Sequence, residues 1–179
     1  MSQSNQWSVD PSHSNAHFTV KHMMITNVRG EFSKLAGTVS YDAAKPEATQ
    51  IDATVEVGSL STRDAQRDGH LKSPDFFDIE KFPNITFKSK SVKAKSKEDL
   101  SVTGDLTIHG VTKEAVLEVE GLSGPSNDPF GNTRLGASAT TKIKRDDFGM
   151  VWNGVLEAGG VLVGNEVKIT IDISLIKQK

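Results

Sequence analysis

The chain contains no cysteine, which excludes disulfides, thiolate metal sites and a cysteine nucleophile and leaves the fold to stand on packing alone. It also lacks a strong excess of charge of either sign, since 21 basic residues face 23 acidic ones for a formal net charge of -2. Without a basic stripe to neutralise phosphates, nucleic acid is not expected as a partner. No run approaches the roughly 18 apolar residues that cross a bilayer as a helix, so an integral membrane protein of that kind is not expected either. The start, Met1 to Trp7, is polar and has no basic segment, apolar segment or small-residue cleavage site. It predicts a cytoplasmic protein, or a periplasmic one if a leader has been removed.

Catalytic motifs are equally scarce. Serine, histidine and aspartate are scattered, with no evident nucleophile and base or carboxylate pair, so no enzyme is expected. The glycine-rich Gly159 to Gly164 stretch lacks the Lys-Ser/Thr pair of a phosphate loop and precedes a strand. The five histidines, His13, His17, His22, His70 and His109, form no helical His-Glu-x-x-His motif of the metalloprotease kind and no acidic cluster accompanies them, so no metal site is expected.

What the chain does have is period-two alternation, the mark of strands with one buried face. It is clearest in Val167, Ile169, Ile171, Ile173 and Leu175, and recurs in Ala16/Phe18/Val20/His22, Ile51/Ala53/Val55/Val57, Leu100/Val102/Gly104/Leu106/Ile108 and Leu135/Ala137/Ala139/Thr141/Ile143. Shorter candidates at 28–41, 84–94 and 112–120 bring the count to about eight strands in one domain over 1–179. Turn chemistry between them, as at His109-Gly110, favours antiparallel hairpins. The exception is 61–83, where Ser61 to Asp64 opens a polar helical stretch and Ser73-Pro74 reads as a second helix start; one or two short helices are predicted around 61–80. So many two-faced strands with one helical insert predict an all-β chain closed into an antiparallel barrel. Small inward residues such as Ala16, Ala53 and Ala137 then leave interior volume that suits an apolar guest.

Longer blocks of sequence carry a resemblance. Trp7-Ser8-Val9-Asp10-Pro11-Ser12-His13-Ser14, Phe18-Thr19-Val20-Lys21-His22, Val28-Arg29-Gly30-Glu31-Phe32 and Arg67-Asp68-Gly69-His70-Leu71-Lys72-Ser73-Pro74-Asp75-Phe76-Phe77-Asp78 resemble the YceI-like family, the lipocalin-like polyisoprenoid-binding proteins. So do Phe82-Pro83-Asn84-Ile85-Thr86-Phe87, Gly104 to Lys113 and Arg145-Asp146-Asp147-Phe148-Gly149-Met150, and the match runs from about Trp7 to Leu175. The resemblance implies a lipocalin-like antiparallel barrel with a short helix at one end and a tunnel for a long-chain lipid. Members are often periplasmic, and the sequence departs from them in showing no leader.

The expected role is therefore non-catalytic binding, sequestration or transport of a polyisoprenoid, an isoprenoid quinone or a fatty-acyl compound, with no other cofactor. Two other readings stay open: a structural or interaction barrel with a filled core, and an accessory enzyme of isoprenoid or quinone metabolism. Burying about twenty methylenes yields roughly 16 kcal/mol gross, most of it offset by ordering and association, so fit governs affinity. The expected lining is Phe18, Val20, Met23, Phe32, Leu35, Leu71, Phe76, Phe77, Phe87, Leu106, Ile108, Phe148 and Trp152. Only one of Phe76 and Phe77 is expected to face inward, since helical neighbours point about 100° apart. His22, Arg63, Arg67 and Arg145 are the candidate head-group contacts. The oligomeric state is left open, a homodimer included.

Overall fold

The computed structural model describes residues 5–179; Met1 to Ser4, on which part of the reading of the start rests, lie outside the described residues. In chain order the elements are β1 (Gln6–Val9), β2 (Asn15–His22), β3 (Thr26–Phe32), β4 (Leu35–Ser40), β5 (Gln50–Glu56), β6 (Leu60–Ser61), α1 (Ala65–Lys72) and β7 (Asn84–Ala94). They continue with β8 (Leu100–Ile108), β9 (Val111–Glu120), β10 (Ser126–Asn127), β11 (Thr133–Lys144) and β12 (Val163–Lys177).

Six of these strands are halves of three bent ones. β1 and β2 both pair with β12, β4 pairs with β1 while β3 pairs with β2, and β5 and β6 pair with β4 and β3 in turn. The first bend falls at Asp10-Pro11, where proline has no N–H to give the ladder. The Ser14 hydroxyl accepts the Ser174 N–H at 3.0 Å and lies 3.3 Å from the Ser174 carbonyl, so a side chain keeps the bend attached to β12. Counted as staves, β1/β2, β3/β4, β5/β6, β7, β8, β9, β11 and β12 make a closed eight-stranded antiparallel barrel in simple meander order, shut where β12 pairs back with β1 and β2, and with a long β11–β12 ladder from Arg134↔Ile176 to Lys144↔Glu166. The two-residue β10 folds back on β11 outside this count.

Pairing follows the alternation. Along β8 every second residue is buried, from Leu100 through Val102, Gly104 and Leu106 to Ile108. The single stretch expected over 28–41 is broken at Ser33-Lys34 into β3 and β4, and the stretch through Val57 ends in a 3-10 turn at Val57–Ser59.

One helix, not two, fills the insert. Asp64 caps α1 by accepting the Arg67 N–H at 3.0 Å. Ser73 is the end of that helix and does not start another: a residue before proline is pushed out of the helical region, and Ser73 is extended at φ -73, ψ 170. The chain then turns tightly, with the Phe76 and Asp78 N–H groups both bonded to the Ser73 carbonyl.

Meander order sorts the connections between the barrel's two ends. One end holds the termini with the 41–49, 95–99 and 121–132 connections. The other gathers the β2–β3 tip, α1 with 73–83, the His109-Gly110 tip and the 145–162 loop.

Candidate functional site

Every stave contributes to one apolar cavity of about 240 Å3 that runs the length of the barrel. Its wall reaches from Tyr41, Thr49 and Leu122 at the terminus-bearing end to Leu71, Phe76, Met150 and Arg145 at the loop-bearing end. An apolar cavity of roughly 150 Å3 already stays dry and takes up a small aromatic guest.

Two glycines keep this lumen open. Gly30 lies directly across from Phe18, and a Cβ there would stand 2.1 Å from the Phe18 ring. At Gly104 a Cβ would stand 2.5 Å from the Phe87 ring. Each ring lies over its glycine and along the wall, an aromatic covering the gap that the missing side chain leaves. The small side chains of Ala16, Ala53, Ala137 and Ala139 also form wall.

The structure brings ten of the thirteen expected lining residues to the wall: Phe18, Val20, Phe32, Leu35, Leu71, Phe76, Phe77, Phe87, Leu106 and Ile108. Phe76 and Phe77 both face the cavity, against the expectation of one, because they sit in the turn after α1 and not in a helix. Three residues lie elsewhere. Met23 is at the β2–β3 tip, beyond the barrel and partly exposed. Phe148 is 2 % exposed and packs within the core cluster of Leu106, Ile108 and Met150, ending the 3-10 turn that starts at Arg145. Trp152 is half-buried behind the wall, its ring 5.3 Å from Phe76 and 4.7 Å from His70. The alternation also carried a signal that the expected set did not use: Leu135, Ile169, Ile171 and Ile173 of β11 and β12 line the same cavity.

Of the four expected head-group contacts, only Arg145 reaches the wall. His22 is the last residue of β2 and does not reach the wall, although Val163, its partner on β12, does. Arg63 is exposed ahead of α1 in a left-handed conformation, φ 62. Arg67 is spent locally, donating to the Thr62 hydroxyl and carbonyl, each at 2.8 Å.

Arg145 is 6 % exposed and lies inside a shell of carbonyls. Its guanidinium donates to Gly164 at 2.8 Å, Met150 at 2.9 Å, Trp152 at 2.8 Å and Val163 at 3.2 Å. Burial lowers its pKa and the Asp146 charge opposes that shift, yet arginine keeps its charge in proteins. Among the described residues no carboxylate lies within ion-pairing distance of it. At the opposite end, burial first and the Asp42 charge second push the Tyr41 hydroxyl pKa up, which keeps it neutral.

The histidines are separate from one another in role. His13 Nδ1 meets Asp10 at 2.7 Å, His70 Nε2 meets Asp75 at 2.9 Å, and His109 Nδ1 meets the Phe148 carbonyl at 3.0 Å. Among the described residues no three metal-ligating side chains gather, and no helix is long and apolar enough to cross a membrane.

Comparison with known proteins agrees with this architecture. The chain is 40% identical over 138 residues to a UPF0312 protein of Pseudomonas savastanoi pv. phaseolicola, covering 77% of this chain and 71% of that one. It superposes on Burkholderia cenocepacia BcnA with a TM-score of 0.81 at 23% identity, covering 93% and 98% of the two chains. A polyisoprenoid binding domain from Saccharophagus degradans aligns with a TM-score of 0.70 at 16% identity, covering 96% and 98%. Residues 7–175 match the YceI-like domain, nearly the whole described chain, and the protein belongs to the YceI-like family.

Proposed function

We propose that the protein is a binding protein, not an enzyme, and that it holds a long apolar molecule of the isoprenoid, quinone or fatty-acyl class inside its barrel. The observation that carries this reading is the continuous apolar cavity, walled by all eight staves and held open by Gly30, Gly104 and four alanines. A polar guest would lose its hydration against this wall without repayment, whereas an apolar one gains from leaving water. The polyisoprenoid binding domain that shares the fold supports the same ligand class. Arg145, charged and at one end of the wall, gives the ligand a direction: a polar or anionic terminus is favoured beside it and the hydrocarbon runs toward Tyr41.

The test is native mass spectrometry of freshly purified protein, then organic extraction and mass identification of what is released. A stoichiometric isoprenoid, quinone or acyl species is the expected result. A protein that is empty and takes up no added long-chain lipid would overturn the reading and favour a barrel that serves as an interaction module.

A further inference from the structure

The loop-bearing end carries a concentration of exposed apolar side chains that the cavity does not explain. Met24 is 62 % exposed, Ile25 76 %, Val151 70 % and Val155 90 %, with Met23 and Val161 beside them at about two-fifths. They come from two segments far apart in sequence that meet at one place. The Met23 N–H donates to the Leu162 carbonyl at 2.7 Å, and the Met24 sulfur sits against Gly160. We propose that this end docks on an anionic lipid bilayer, with the Met23–Ile25 tip and the 151–161 loop entering the interface and the neighbouring lysines facing lipid phosphates.

Three features select a bilayer over other occupants. The first is the backbone of the two segments, which is bonded within the protein: Ile25 N–H to His22, Leu156 N–H to Gly160 and Leu162 N–H to Gly154, with a bridge between Val155 and Val161. Entry into an apolar phase therefore leaves those donors paired, which is what such a phase demands.

Charge is the second feature. The ladder registers place Arg29, Thr19, Lys168 and Lys142 in one outward row across β3, β2, β12 and β11. Lys142 and Lys168 stand directly opposite each other, an arrangement that opposes stability unless an anion offsets it. Glu166 lies 3.8 Å from Lys142, and Lys21 and Lys144 extend the basic wall toward the tip. The acidic groups of the 145–162 loop are Asp146, Asp147 and Glu157, and Asp64, Asp68, Asp75, Asp78 and Glu80 stand at the same end around α1; the wall beside the tip carries Glu166, with Glu31 and Asp172 farther along β3 and β12, against the five cations Lys21, Arg29, Lys142, Lys144 and Lys168. At about 3.3 Å per residue the row lies roughly 13 Å along the strand from Met23. Segments that sit in an interface are buried by about 5–10 Å, which brings Lys21 and the row to head-group level.

The third feature is continuity with the cavity. Val151 is exposed, whereas Met150 lines the lumen and Trp152 packs on Phe76 of the wall, so the docking loop adjoins the cavity wall within three consecutive residues. Docking rests on the exposed tip and the basic wall and not on the identity of the ligand.

The experiment is co-sedimentation of the full chain, with ligand extracted, on vesicles of phosphatidylcholine alone and of equimolar phosphatidylcholine and phosphatidylglycerol. Binding to the anionic vesicles is expected to be at least about tenfold tighter and to weaken as salt is raised. The double variant Met24→Glu, Val155→Glu is expected to lose at least about tenfold in vesicle binding while melting as the wild type does, since both side chains are exposed. Lys21→Glu with Lys168→Glu should remove the preference for anionic vesicles. Three results overturn the proposal: wild-type protein that binds neither vesicle, tip variants that bind as wild type, or a wild-type dimer that the tip variant converts to monomer without any vesicle binding, which makes the patch a self-association surface. A failed ligand extraction leaves all three readouts intact, so the two proposals fail separately.

Discussion

A Cβ on Gly30 would stand 2.1 Å from Phe18, a ring buried to 8 % exposure on the barrel wall. Gly30→Ala must therefore push that ring into the lumen or off its rotamer, an overpacking cost of about 2 kcal/mol and a fall in Tm of about 4–8 °C for a domain of this size. Gly124 meets nothing within 4 Å, so Gly124→Ala should melt with the wild type and serves as the control. Equal melting of both variants would mean that the ring has free space beside it. Charge gives a second test at this scale. Asp10 is held well below the usual carboxylate range first by the Arg134 guanidinium at 2.6 Å, against the opposing cost of burial, with Ser12 and His13 adding to the shift. The folded state therefore binds fewer protons than the unfolded chain as pH falls below about 4, and the stability that Asp10 contributes is complete above that range and lost beneath it. The urea midpoint of the wild type should drop between about pH 6 and about pH 3, while Asp10→Asn starts lower and loses less over the same interval. Parallel losses in the two proteins would place the acid sensitivity in other groups.

Among the elements, the 145–162 connection owes its shape to one side chain. Arg145 holds four carbonyls on both sides of it, Met150 and Trp152 going out and Val163 and Gly164 coming back. Arg145→Met leaves those carbonyls without their charged donor, at a cost of about 3 kcal/mol and a fall in Tm of about 6–12 °C. Limited proteolysis should then cut near Asn153 to Gly160 faster than in the wild type. A variant that melts as the wild type and resists cleavage would show that the loop is fixed by other contacts. Element boundaries also mark where sequence reading stopped. The periodicity of β8, β11 and β12 was legible because each keeps one buried face along its length, and β8 supplied Leu106 and Ile108, while Phe18, Val20, Phe32, Leu35 and Phe87 came from β2, β3, β4 and β7. The bends at Asp10-Pro11 and Ser33-Lys34 were not, because they are set by ladders to strands elsewhere in the chain, β12 for the first and β1 for the second. Ser73-Pro74 misled for a local reason: the same dipeptide opens a helix or closes one according to what precedes it, and here α1 does. Met23 and His22 fell outside the cavity because β2 ends at His22 and Met23 already belongs to the tip, and the alternation of a strand does not say where the strand ends.

At the scale of the whole barrel, the cavity and the core compete for the same interior. Two apolar clusters flank the lumen, one built on β1 to β6 with Leu135 and Leu175, the other on β7 to β9 with Phe148 and Met150, and Phe77 and Ile85 pack against both. A closed barrel whose wall alternates large side chains with alanine and glycine is stable without filling its centre, so the unfilled volume is a property that substitution can remove. Ala139 stands at mid-wall, paired with Ile171 on one side and Val119 on the other. Ala139→Phe directs a ring into the lumen and removes much of the 240 Å3. Because the ring enters a cavity and not a packed core, the cost should stay near the lower bound of overpacking, about 1 kcal/mol. Lipid recovered by extraction should fall well below one molecule per chain, while vesicle binding through the tips persists. If the variant instead retains a full complement of lipid, the ligand lies outside the lumen and the cavity reading fails; if it loses lipid and vesicle binding together, the tip and the lumen are one coupled site, and the bilayer is bound through the ligand it supplies.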